Sequence, residues 1–88
     1  MGAPALPIFE QMAPAIPENA YRLPVPGERP VTVLLTARRI YVESRNGAKL
    51  LDCQRTVECA QYVADRLAEQ RLCLEADALR KEAARWRW

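Results

Sequence analysis

The sequence predicts an α+β domain: a β-hairpin or three short antiparallel strands followed by two helices, with a proline-rich extended arm in front. Three observations carry this. All seven prolines fall in the first 30 residues, and none follows Pro30. From Val31 to Cys53 apolar residues alternate with polar ones around an Asn46-Gly47 pair, and from Val57 onward they recur at helical spacing. The chain therefore divides into an arm, residues 1–30, and a small domain, residues 31–88.

Each proline fixes its own φ, removes a backbone donor and pushes the preceding residue toward extended geometry. The arm can then hold neither a long helix nor a central strand, and polyproline II and turns remain. A short echo, Ala3-Pro4-Ala5-Leu6-Pro7 against Ala13-Pro14-Ala15-Ile16-Pro17, has the PxxP spacing of ligands for aromatic-lined grooves, without the flanking arginine that orients them. Leu6, Ile8, Phe9, Met12, Ile16, Tyr21, Leu23 and Val25 make the arm too apolar for a solvated linker. It is expected to pack on the body or on another chain.

In the first predicted strand Val31, Val33 and Leu35 share one side and Thr32 and Thr36 the other. Leu34 breaks the alternation, which predicts burial on more than one face. The runs Ile40–Ser44 and Ala48–Cys53 flank Asn46-Gly47, the strongest short hairpin signal, because both residues accept positive φ. A two-residue loop there sets Val42 opposite Leu51 and Ile40 opposite Cys53, so four apolar side chains share a face. A slip of one residue would turn them all over.

Thr56 is the expected N-cap of the first helix, with Glu58 in its first turn where the helix dipole favours a negative charge. Val57, Ala60, Val63, Ala64, Leu67 and Ala68 form its apolar stripe. A second stripe, Leu72, Ala76, Leu79, Ala83 and Trp86, is offset in phase. No glycine or proline separates the two. A single helix from Val57 to Arg87 would be roughly 46 Å long, too long for so small a domain, so a tight break near Gln70 to Leu72 is expected.

Composition excludes more than it assigns. The 88 residues include no histidine, one serine (Ser44), three glycines and three cysteines, with 13 basic groups against 11 acidic ones. Without an imidazole neither a Ser/His/Asp nor a Cys/His relay can form, and histidine-based zinc signatures go too. Gly2, Gly27 and Gly47 stand alone, so no glycine-rich phosphate loop exists. The longest charge-free stretch, Met1 to Phe9, is far short of the roughly 20 apolar residues of a membrane span. No basic n-region precedes an apolar run, and three unevenly spaced cysteines suit a reducing compartment. A cytoplasmic protein without cofactor or membrane association is expected.

Cys53, Cys59 and Cys73 form no CxxC pair and read as small buried apolar residues. Among the helical carboxylates, Asp77 with Lys81 and Glu82 with Arg85 have surface ion-pair spacing. Asp65 and Glu69, four apart and like-charged, are the pair able to recruit a basic partner, and Glu75 reads as one more helical carboxylate.

Two functions are expected from different classes. The first is a non-enzymatic protein-interaction module, an adaptor or inhibitor of a larger protein partner, docking through Leu6, Ile8, Phe9, Met12 and Ile16 of the arm or through Leu79 and Trp86. The four-and-three spacing of the second stripe also suits a homodimer seam. The alternative is a small nucleic-acid-binding regulator. Arg38, Arg39, Arg45 and Lys49 sit on or beside the hairpin, while Arg80, Lys81, Arg85 and Arg87 crowd Trp86 and Trp88. A net charge of only +2 argues against it. In size and in its lack of site chemistry the chain resembles the small inhibitors encoded by phages and mobile elements, anti-CRISPR proteins among them, although no residue motif carries the resemblance.

Overall fold

The computed structural model of the chain describes residues 15–86. Four strands, Tyr21–Arg22 (β1), Val31–Leu35 (β2), Arg39–Ser44 (β3) and Lys49–Gln54 (β4), precede two helices, Val57–Glu69 (α1) and Cys73–Ala84 (α2). The strands form one antiparallel sheet in the order β1-β2-β3-β4. Val31, Val33, Leu35, Ile40 and Val42 face the helices, where they join Ala60, Val63, Ala64 and Leu67 of α1 and Ala76, Leu79 and Ala83 of α2 in one core.

β1 is the strand beyond the expected three. It pairs Tyr21 with Leu35 and Arg22 with Leu34, and the Leu23 N–H donates to the Val33 carbonyl at 2.9 Å. Prolines on both sides hid it, yet a two-residue edge strand is the kind that nearby prolines permit. Leu23 is thereby carried into the core, so the arm's second half packs on the body.

The hairpin keeps the expected pairs, Val42 with Leu51 and Ile40 with Cys53. Its loop differs from the two-residue expectation. Ser44 and Ala48 close a three-residue loop, Arg45-Asn46-Gly47: the Gly47 N–H donates to the Ser44 carbonyl at 3.0 Å and the Ser44 N–H to the Ala48 carbonyl at 2.8 Å. Only Gly47 takes a positive φ, +91°, which spares Asn46 the left-handed region. Glu43 then faces Lys49, and a bulge between Val42 and Glu43 absorbs the extra residue. The bulge restores the register that buries the apolar face.

Thr56 caps α1 as expected, its hydroxyl accepting from the Cys59 N–H at 3.1 Å. The chain turns back where the break was expected. Arg71 has φ +66°, its N–H donates to the Ala68 carbonyl at 2.9 Å, and the Leu72 N–H donates to the Leu67 carbonyl at 2.8 Å. That pair of bonds is a Schellman motif with arginine where glycine usually sits. The reversal explains the phase offset, since both stripes address one core from opposite directions. It also corrects the role given to Leu79. Leu79 is 0% exposed in the monomer, as buried as Ala76 beside it, so Leu79 itself is not available as a docking residue, while Leu72 and Trp86 at the ends of the stripe stay partly exposed.

Candidate functional site

The expected basic clusters do not converge. Arg38 and Arg39 lie at the start of β3 and Arg45 lies beyond its other end, roughly 20 Å away at strand rise, whereas the Arg39 and Lys49 side chains meet on one carboxylate between them. Arg39 and Lys49 both hold Asp52, at 2.7 and 2.9 Å, and Arg45 lies 3.7 Å from Glu28. In the helical layer Arg80 pairs with Asp65 at 2.8 Å and Arg85 with Glu82 at 3.5 Å, while Lys81 is exposed. Most of these cations are answered by a carboxylate. Asp65 and Glu69 each find their own cation, Arg80 and Arg66. Arg87 and Trp88, like Leu6, Ile8, Phe9 and Met12, lie outside the described residues.

Trp86 is half-buried against the core, and one face of its indole is occupied. The Arg55 guanidinium stacks over that ring at 4.6 Å, lies 6.0 Å from the Tyr21 ring, donates to the Thr36 carbonyl at 2.8 Å and sits 3.6 Å from Glu82. Arg55 thus joins β1, the β2–β3 turn and the end of α2. Ile16 is also half-buried.

Glu75 is the residue sequence reasoning misplaced most. It is 1% exposed, and Arg29 clasps it with two bonds, Nε to Oε2 at 2.6 Å and Nη2 to Oε1 at 3.0 Å. Those bonds hold its carboxyl below the usual carboxylate range, against the opposing pull of burial. Asp52 is pushed up by burial, but hydrogen bonds from Lys49 and Arg39 outweigh this and leave it lowered. No local signal marked the Arg29–Glu75 pair, whose members are 46 residues apart.

The thiols assemble no reactive centre. All three cysteines are free, and burial together with the neighbouring Cys59 thiol pushes Cys53 up to about 11, which keeps it protonated and unreactive at neutral pH. Among the described residues no group of three histidine, cysteine, aspartate or glutamate side chains is placed to hold a metal ion. None of the described helices is long and apolar enough to cross a membrane.

Two surfaces remain. At the end of the sheet beneath the α1–α2 turn, Pro30, Val31, Val42, Leu51, Leu67 and Leu72 line a groove of about 530 Å³, bordered by Leu50, Arg66 and Gln70. Leu50, beside the bulge on edge strand β4, is 53% exposed. The second is the outer face of the sheet, where Arg22, Leu34, Tyr41 and Asp52 form one cross-strand row. No protein family, curated protein or solved structure matches the chain.

Proposed function

We propose that the protein is a non-enzymatic interaction module, an adaptor or inhibitor that docks on a larger protein by taking an extended apolar segment of that partner against β4. The observation that carries this reading is the groove beside Leu50. An apolar side chain more than half exposed, at an apolar groove and on the strand that ends the sheet among the described residues, is the arrangement that strand addition uses: backbone bonds along the edge, and a side chain seated in the pocket. Three free thiols support placing it in the cytoplasm.

Affinity capture from the native host with a mass-spectrometric readout, run in parallel with wild-type protein and Leu50→Asp, tests the reading. A protein recovered by the wild type and lost with the folded variant supports it. Equal recovery by both moves the docking site elsewhere. No such constellation favours nucleic acid, because the basic groups are dispersed and mostly paired. Binding of that kind weakens steeply with salt, so measurable affinity for labelled single-stranded or duplex nucleic acid at about 50 mM salt, lost at physiological salt, would reinstate it.

A further inference from the structure

We propose that the outward stripe of α2 and the chain segment 23–26 form a groove that docks an amphipathic helix of a protein partner, one with an acidic first turn. This groove is separate from the one beside Leu50, and the inference does not rest on that reading.

The first observation is a stripe that the core does not use. Leu74, Ala78, Lys81 and Arg85 recur at intervals of four, three and four, out of phase with the core stripe of Ala76, Leu79 and Ala83. They share one face that runs from an apolar half to a basic half. Leu74 is 46% exposed, and Lys81 and Arg85 are exposed too. Opposite them runs Leu23-Pro24-Val25-Pro26, and the space between the two walls is a groove of about 440 Å³.

The second observation is that the wall facing α2 is pinned on both sides. Leu23 is buried in the core, and its N–H donates to the Val33 carbonyl at 2.9 Å. Three residues past the wall, Arg29 clasps Glu75 of α2 with bonds of 2.6 and 3.0 Å. A groove held in place by its own fold costs a partner little ordering.

The third observation is charge. The two carboxylates in the groove are already engaged. Asp77, spaced to pair with Lys81, lies instead 3.9 Å from Arg80, and Glu82 has Arg55 at 3.6 Å and Arg85 at 3.5 Å. Among the described residues no ion pair reaches Lys81, so its charge stands uncompensated at one end of the groove, and a partner carboxylate is its complement.

Backbone chemistry selects a helix over a strand. Pro24 and Pro26 have no N–H, the Leu23 N–H is spent on Val33, and α2 bonds its own backbone, so an extended segment finds no edge to pair with. A helix satisfies its own backbone, and the small Ala78 between Leu74 and Lys81 lets one approach closely. Set antiparallel to α2, it places its N-terminal turn, where acidic side chains are favoured, beside Lys81. Leu74 and Lys81 are seven residues apart, so the partner's apolar side chains meet Leu74 about two turns further on.

Display of a random-sequence peptide library tests this, with the full-length wild type, Leu74→Asp, Lys81→Glu and Leu50→Asp as baits, each shown folded by circular dichroism. The wild type should enrich peptides with an acidic residue followed about two helical turns later by an apolar one. Leu50→Asp should keep them and Leu74→Asp should lose them, while Lys81→Glu should exchange the acidic preference for a basic one. A synthetic copy of an enriched peptide should gain helix on binding and bind Lys81→Glu about tenfold more weakly or worse. An acidic preference unchanged by Lys81→Glu overturns the proposal, as does a bound peptide without helix. Peptides kept by Leu74→Asp and lost with Leu50→Asp would leave only the β4 groove as a docking site, and a wild type that enriches nothing over Leu74→Asp refutes the groove on α2.

Discussion

At the scale of single residues, burial with a partner decides what the charged and thiol groups do. Glu75 sits at the helix–sheet interface because Arg29 reaches it from the loop before β2, and removing one member of such a pair strands the other. Arg29→Ala should lower the urea-unfolding midpoint, because it leaves the Glu75 carboxylate buried without its partner, though by less than a fully buried pair would lose, since Arg29 itself is partly in water. The carboxyl of Glu75 is lowered in the folded state, so the pair's contribution is fully present above the unfolded value of about 4.3 and is lost as pH falls through the folded one. Glu75→Gln should flatten the acid limb of stability against pH. The limb is reduced but not abolished, because Asp52 is lowered too. The thiols give an independent check: with iodoacetamide at about pH 8, exposed Cys73 should alkylate well before Cys53, whose pKa is pushed up to about 11.

At the scale of elements, the two ends of α1 obey local rules to different degrees. Thr56 satisfies the first turn, and Thr56→Ala should lower stability by about 1 kcal/mol. Arg71 closes the other end in a left-handed conformation that only glycine adopts without strain. Arg71→Gly should therefore raise the melting temperature, with a gain of about 1 kcal/mol by calorimetry. The Schellman turn was recognisable by place but not by residue type. A break between offset stripes could be read from periodicity, whereas a sequence with arginine at that position gives no stop signal. The hairpin behaved likewise: Asn46-Gly47 located the loop, but loop length and bulge were settled together by the need to keep Val42 and Ile40 facing the core.

At the scale of the whole molecule, one core serves both helices and the sheet, and Leu79 is at its centre. Leu79→Ala should cost about 2–5 kcal/mol, much of what a domain this small possesses. Leu79→Glu should unfold the protein, lost by circular dichroism and seen as aggregation in light scattering. A folded monomer from that variant would instead mean that Leu79 faces a second chain.

The sequence by itself determined the elements: the alternation from Val31 to Cys53, the Asn-Gly loop, the Thr56 cap and two helical stripes are short-range patterns, and short-range physics enforces them. Tertiary structure alone decided which cations are answered, that Arg55 occupies the face of Trp86, that Arg29 buries Glu75, and that Leu79 is internal. Partners tens of residues apart leave no trace in local spacing, because burial and pairing depend on which surfaces the chain brings together, and that is fixed only once the helices have turned back onto the sheet.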